Sequence, residues 1–368
     1  MMKKSRWNLY LGNVSGISLY LHWTFFILLT WIFFSYYNKA HRWEDGLVAL
    51  LFILALFTCV ALHELGHALM AKRFGCLTRN ITLLPIGGIA QMEKIPEKPR
   101  EEFLMAIAGP WVNVVIAAIL YLILATTSGI PSLTQMEDLT RSNFLYNLFL
   151  ANIILVLFNL IPAFPMDGGR VLRALLSMRL GRVRATTVAT SIGQLLAIGF
   201  IFVGVFFNFF LVVIGLVIFL GARAEAEFEI VKAGLQNYKV KDILMHKFTV
   251  LHPADTLNSV VRLMLDGQEK EFVVAENGEV TGILTRKELI KGLAESGGHS
   301  TVSAFMRKDM LLLAPEMNLQ EAFLQMSLKE QKVCPVLQNG QLAGILDTEN
   351  ISEFLLVREF KKTPSAVL

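Results

Sequence analysis

Charge is what this sequence has least of. Asp, Glu, Lys and Arg make up 17% of its 368 residues, against 54% hydrophobic, and the mean hydropathy is +0.53. Soluble domains carry about 25% charged residues, so a wholly soluble protein is excluded and a membrane protein is implied. Cysteine is nearly as scarce. Cys59, Cys76 and Cys334 stand without CxxC spacing, which excludes a disulfide framework and a cysteine-built zinc site. A net charge of +4 gives no argument for a nucleic-acid partner. A cleavable signal is also missing: MMKKSRWN leads into a long apolar segment without a small-residue cleavage site, which reads as a retained first span.

The charge that is present is uneven. Of 34 Lys and Arg, 17 lie from Arg223 onward, and the part before it holds uncharged stretches long enough to span a bilayer. The expected organisation is a polytopic α-helical membrane domain (residues 1–222), a linker helix (223–239), two α/β units (240–296 and 297–358) and a short tail (359–368). Apolar segments run from Ile17 to Tyr37, Leu47 to Met70, Phe103 to Thr127 and Phe144 to Pro162. Between Arg184 and Arg223 lie 38 uncharged residues, too long for one crossing of about 30 Å. Two spans hinged near Phe207-Asn208 fit better, giving six spans with both ends on one side. Loops on that side hold fourteen Lys and Arg, among them Lys72, Arg73, Arg170, Arg173 and Arg182, against Lys39, Arg42 and Arg141 opposite. The bias orients the N-terminus and the tail to the cytosol. The basic clusters themselves read as a solvated or headgroup-facing rim.

Within the second span stands His63-Glu64-Leu65-Gly66-His67, an HExxH pattern. Helical residues four apart differ by about 40° around the axis and about 6 Å along it, so both imidazoles can face one ion while Glu64 reaches a water beside it. Ionisable groups at membrane depth are costly and mark function. Two histidines are one ligand short of a catalytic zinc site. Of the other histidines, only His22 could lie at membrane depth, and beside Trp23 it reads as an interfacial anchor. Asp167, in NLIPAFPMDGGR, is the sole charged residue between Arg141 and Arg170. Pro162 and Pro165 break the helix and Gly168-Gly169 permits a close turn, so Asp167 is favoured as the third ligand. The alternatives are a helix N-cap role for Asp167, and Glu93 as the ligand.

HELGH followed by Asn159-Leu-Ile-Pro162-Ala-Phe-Pro-Met-Asp167-Gly168 resembles the site-2 protease family of intramembrane zinc metalloproteases. LLPIGGIAQME (Leu83 to Glu93) and AGPWVN (Ala108 to Asn113) resemble further family segments. Where many members have a proline two residues after the first motif proline, this chain has Phe164. That difference bears on the substrate groove and not on the ligand. The resemblance implies one zinc ion per chain, held by His63, His67 and Asp167. It implies Glu64 as the catalytic acid and base, and a transmembrane protein substrate cleaved within or near its membrane segment. Similarity to the family suggests that Asn159 steadies the substrate backbone or a developing oxyanion; an interhelical hydrogen bond is the alternative. Asn113 is a weaker candidate for that task beside a structural one. Pro85-Ile86-Gly87-Gly88 could turn a re-entrant hairpin whose free edge pairs with an unwound substrate, or be a plain loop. Cys59, one turn before His63, shares its helix face, where packing is the simplest role.

The soluble part is a repeat. Residues 240–291 and 302–353 align at a constant offset of 62, with NGEVTGIL (Asn277 to Leu284) over NGQLAGIL (Asn339 to Leu346). Each copy reads helix, strand, Asn-Gly turn, strand, helix, and the two together resemble a pair of CBS domains. The resemblance implies an adenine nucleotide held by a Gly-h-x-Thr/Ser-x-x-Asp segment. The first copy has Gly282-Ile-Leu-Thr285-Arg-Lys-Glu288, with Glu288 replacing the aspartate; the second has Asp347 where the hydroxyl belongs, and an acid there repels phosphate. At most one nucleotide site, at Thr285 and Glu288, is expected. The alternative is a ligand-free module for homodimerisation or substrate docking.

The reading is an intramembrane zinc endopeptidase of a prokaryotic plasma membrane with a regulatory or dimerising CBS pair. A zinc transporter or sensor is the alternative, but a transport path should scatter acids and histidines along several spans. A non-cleaving homologue would lack a catalytic element.

Overall fold

The computed structural model describes residues 8–85, 87–92, 96–127, 143–267 and 269–362. Glu93 and the loop charges Lys3, Lys4, Arg6, Lys94 and Arg141 lie outside them, as do Ile86 of the expected hairpin turn and residues 363–368 of the tail. The chain divides into two compact units, Met1–Ala226 and Glu227–Leu368.

The first unit opens on an antiparallel hairpin of β1 (Asn8–Val14) and β2 (Ile17–His22), and the first helix, α1 (Thr24–Ala40), begins only after Trp23. The span expected from Ile17 is corrected here: residues 17–22 form a strand that turns Ile17 and Leu21 inward. Ser18, Tyr20 and His22 alternate with Ile17, Leu19 and Leu21, a period-2 pattern that a count of hydrophobic residues over a longer window averages away. α2 (Trp43–Arg73) carries Glu44 and Asp45 in its first turn and Lys72 and Arg73 in its last, the placement that the helix dipole favours at each end. β3 (Thr78–Leu84) returns parallel to β2, and β4 (Gly87–Met92) lies antiparallel to β3. The sheet order is β1-β2-β3-β4, so β4 is an edge. Parallel pairing of β2 with β3 needs a long crossover, which α1 and α2 supply. Ile17, Leu21, Ile81 and Leu83 of the sheet form one core with Phe25, Phe57 and Ala68.

Five more helices follow: α3 (Pro99–Thr127), α4 (Phe144–Asn159), α5 (Asp167–Leu180), α6 (Arg182–Phe207) and α7 (Phe209–Leu235). Among the described residues, α2, α3, α6 and α7 are long and apolar enough to cross a membrane. α1 and α4, with 17 and 16 residues, are shorter than the spans expected there. α4 stops three residues before Pro162, whose missing N–H and ring bar a helix from continuing. The hinge expected near Phe207-Asn208 is present: Asn208 separates α6 from α7, and its side chain accepts the backbone N–H of Phe210 at 2.9 Å.

A buried ion network ties four of these helices together. Arg173 of α5 is fully buried; its Nε donates to Glu102 Oε1 of α3 at 2.8 Å, and its Nη1 to Glu225 Oε1 of α7 at 2.5 Å. Arg182, at the start of α6, donates to the other Glu102 oxygen at 3.0 Å. The Arg173 guanidinium also lies 5.0 Å above the ring of Phe164. Arg173 therefore does not belong to the solvated rim with which its charge was counted; it is a core cation that pins α5 and the segment before it.

The second unit repeats itself residue for residue. α8 (Leu257–Asp266), β6 (Glu271–Glu276), β7 (Glu279–Thr285) and α9 (Arg286–Ser296) return, displaced by 62, as α11 (Leu319–Leu328), β8 (Val333–Gln338), β9 (Gln341–Asp347) and α12 (Thr348–Lys362). A 3-10 turn (Val240–Ile243) matches α10 (Val302–Phe305), and the short β5 (Val250–Leu251) pairs with β6. Thr256 and Asn318 hold the same N-cap position of α8 and α11, each accepting backbone N–H groups of the first turn. Both hairpins turn at Asn-Gly with φ of 53° and 83°, the positive angles that a two-residue hairpin of this hand demands.

Removing one partner of a buried ion pair strands the other charge, at a cost of about 3–5 kcal/mol. Glu102→Gln or Arg173→Met should therefore lower the thermal unfolding midpoint of the detergent-solubilised protein strongly. Lys98→Ala, which removes the surface pair with Glu101, should change stability by less than about 0.5 kcal/mol.

Candidate metal centre

The three candidate ligands come from two helices. His63 and His67 stand one turn apart on the inward face of α2, and Asp167 is the first residue of α5. All three are buried. Asp167 Oδ2 lies 3.2 Å from His63 Nε2 and 2.9 Å from His67 Nε2, and the two nitrogens are 3.1 Å apart. Among the described residues, these three form the group of His, Cys, Asp or Glu side chains that converges closely enough to hold a metal ion.

The chemistry of the donor set fits zinc. A tetrahedral ion with bonds of about 2.0–2.1 Å separates its ligand atoms by about 3.3 Å, close to the spacings found. His67 Nδ1 lies 2.7 Å from the backbone carbonyl of Met105 on α3. A carbonyl can only accept, so Nδ1 carries a proton, and in the neutral ring Nε2 presents a lone pair to the carboxylate. Two acceptors held 2.9 Å apart repel unless a proton or a metal ion lies between them. The capping alternative for Asp167 is not realised: the N-cap position of α5 is Met166, and the Asp167 carboxylate turns to the histidines. Its place in the first turn sets its negative charge at the positive end of the helix dipole.

Glycines make these approaches possible. A Cβ on Gly109 of α3 would lie 2.2 Å from His67 Nε2, so only glycine lets the imidazole lie against that helix. A Cβ on Gly168 would meet the carbonyl of Ile161 at 2.2 Å, and one on Gly169 would meet Ala163 at 2.6 Å. The Pro162–Met166 segment thus folds tightly onto the start of α5. A Cβ on Gly88 would lie 2.5 Å from Glu64 Cγ, which puts the edge strand β4 directly beside the HExxH glutamate.

The other candidates separate. Asn113, buried in α3, places Oδ1 2.8 Å from His63 Nδ1, so it meets the back of a histidine of this site. Asn159 donates to the carbonyl of Leu155 in its own helix at 2.9 Å and is not brought to the histidines. His22 pairs with Thr24 Oγ1 at 2.8 Å, at the end of β2. Cys59 is buried with Leu120 and Leu148, and receives a long contact from Asn152 Nδ2 at 3.6 Å. In the second unit, the Thr285 hydroxyl donates to Glu288, so the two residues expected to hold a nucleotide are paired with each other. Thr285 also lines a small surface pocket together with Glu271, Arg307, Asp309 and Glu330.

Sequence reasoning missed two groups at the centre. The Met105 carbonyl is backbone and leaves no signature in residue identity. Asn152 does leave one: it lies seven residues before Asn159 in an apolar helix, hence on nearly the same face, and a polar side chain there needs a partner.

Comparison with known proteins identifies the family. The model of peptidase family M50 matches residues 51–142 and 129–200, and that of the CBS domain matches residues 240–295 and 302–357. A zinc metalloprotease of Methanocaldococcus jannaschii is 33% identical over 356 residues, covering 96% of this chain and 97% of the relative. The solved structure of a site-2 protease from the same organism is 37% identical over 60% of this chain and 95% of that one, with a TM-score of 0.44. The transporter reading is thereby set aside in favour of the protease. On one-third identity across nearly the full length of both chains, the protein belongs to peptidase family M50 as a zinc metalloprotease of the site-2 type, carrying two CBS domains.

Proposed function

We propose that His63, His67 and Asp167 hold a single zinc ion and that Glu64 is the acid and base of peptide hydrolysis within the membrane domain. The observation that carries this reading is the convergence of three ligand atoms 2.9–3.2 Å apart on two helices, with Glu64 wedged between that centre and a strand edge. When bound, zinc supplies Lewis acidity, bringing the pKa of water to about 7 and polarising a carbonyl. Glu64 takes the proton from the attacking water and returns it to the leaving amine. Met105 and Asn113 hold the far sides of the two imidazoles, so that neither ring can rotate away.

Proteolysis needs an extended substrate, and a membrane helix must unwind to provide one. Among the described residues β4 pairs with β3 on one side only, and its other edge can add a strand. With Gly88 lying against Glu64, a peptide laid along β4 would pass the catalytic carboxylate. The substrate is a transmembrane protein, cleaved within or near its membrane segment. The basic bias of the loops sets the N-terminus and the CBS pair on the cytosolic side of a prokaryotic plasma membrane. Asn159 enters the reaction only by leaving its own helix for the substrate backbone.

The CBS pair regulates the protease or joins two copies of it. Its pocket near Thr285 is poor in positive charge: Arg307 faces Glu271, Asp309 and Glu330. Burial raises the Glu271 pKa, opposed by Lys332 and reinforced by the charge of Asp347. An adenine nucleotide accepted there carries few phosphates.

Three measurements test these assignments. Glu64→Gln should keep one zinc per chain by metal analysis and lose peptide hydrolysis by more than about 10²-fold; normal cleavage by this variant would overturn the mechanism. The two glycines should separate metal from chemistry: Gly109→Ala displaces His67 and should weaken zinc binding about 10–100-fold, whereas Gly88→Ala displaces Glu64 and should leave zinc in place while turnover falls. Calorimetry of the full chain with AMP and with ATP should show AMP binding more tightly; heat from neither leaves dimerisation or docking as the task of the CBS pair.

A further inference from the structure

The far side of His63 is held by a chain of buried amides whose orientations can be deduced rather than assumed. Asn152 of α4 and Asn113 of α3 are both fully buried. Asn152 Nδ2 lies 2.8 Å from the carbonyl of Leu148. A backbone carbonyl can only accept, so the NH₂ group of Asn152 must point there and its oxygen must point the other way. That oxygen lies 3.1 Å from the Asn113 amide, which must meet it with NH₂. The Asn113 oxygen is thereby turned to His63 Nδ1 at 2.8 Å. An amide oxygen there requires a proton on Nδ1, so that in the neutral ring the lone pair is on Nε2, aimed at His67 and Asp167.

We infer that Asn152 is a positioning residue for the metal centre: through Asn113 it fixes the tautomer of His63 that can ligate an ion. The inference rests on the reading of His63 as a metal ligand. Without Asn152 Oδ1, the Asn113 amide loses what distinguishes its two ends. If it turns over, NH₂ faces Nδ1, the imidazole proton moves to Nε2, and an N–H points into the site where a lone pair is needed. Asn152 touches neither substrate nor ligand atoms, and it reaches the metal centre only through the second residue of the chain.

The test uses the purified full-length protein in detergent and zinc alone as probe, with affinity read by chelator competition. Asn152→Leu, close in shape but without the acceptor, should weaken zinc binding about 10–100-fold. Adding Asn113→Asp should restore it to within about threefold, because a carboxylate offers an acceptor to Nδ1 in either orientation. Asn152→Asp keeps the acceptor and should bind as the natural protein does. Nitrogen-15 spectra of the histidine rings at pH 8, before zinc is added, should show His63 protonated on Nδ1 in the natural protein and shifted toward Nε2 in Asn152→Leu. Unchanged affinity in Asn152→Leu would overturn the inference. So would failure of Asn113→Asp to rescue, which would make Asn152 a packing residue, and so would a natural protein whose His63 carries its proton on Nε2. The spectrum of the natural protein and the Asn152→Asp variant decide the matter even if Asn152→Leu does not fold. If the natural protein binds no zinc, it is the metal-ligand reading of His63 that falls, a separate result.

Discussion

A carboxylate oxygen and an imidazole nitrogen held 2.9 Å apart in the interior of a membrane domain need a positive charge between them, a proton or a metal ion, because no bulk water screens them. The rest of the first unit can be understood as the apparatus that keeps this arrangement in place. α2 supplies two nitrogens at a fixed separation, and α3 closes on α2 at Gly109 and offers a carbonyl and an amide to the backs of the rings. α5 delivers the acid from a segment folded so tightly that two successive glycines are required. A proton or a metal ion between nitrogen and carboxylate turns repulsion into attraction, and three donor atoms gathered at this spacing suit a metal ion.

The buried network around Arg173 belongs to the same economy. Asp167 is useful only if α5 holds its position relative to α2, yet the chain before α5 is irregular. Arg173 sits two turns along from Asp167, and joins α5 to Glu102 of α3 and to Glu225 of α7, with Phe164 of the irregular segment under its guanidinium. Charges buried in this way are expensive and geometrically demanding. The planar fork of arginine meets that demand where a lysine ammonium would give a point contact.

Much of this was legible in the chain itself, for physical reasons. The HExxH spacing encodes a helix face, and Asp167 was conspicuous because carboxylates are rare in an apolar sequence. The tail repeat was readable to the residue because the two copies share turn and cap chemistry: Asn-Gly at both hairpins, Thr256 and Asn318 at both caps. What was hidden had a short local signature or none. The strand at residues 17–22 alternates Ile17, Leu19 and Leu21 with Ser18, Tyr20 and His22, but only over six residues that run on into the apolar stretch of α1. Arg173 looked like one more basic residue of a cytosolic rim, because its partners are 71 and 52 positions away. Met105 contributes its backbone, and Asn152 matters only once the α3–α4 contact sets it against Asn113.

The order of the sheet carries a consequence for how the enzyme comes into being. β3 and β4 are neighbours in sequence, but β3 is anchored by pairing with β2, and α1 and α2 intervene between those two strands. Closing so long a loop is entropically slow and follows local pairing. A chain in the course of folding therefore carries its sheet in two pieces, the β1–β2 hairpin before α1 and the β3–β4 hairpin after α2, which join only when the two helices bring β2 and β3 together. The strand that lies beside Glu64 gains its full sheet support only at that late joining.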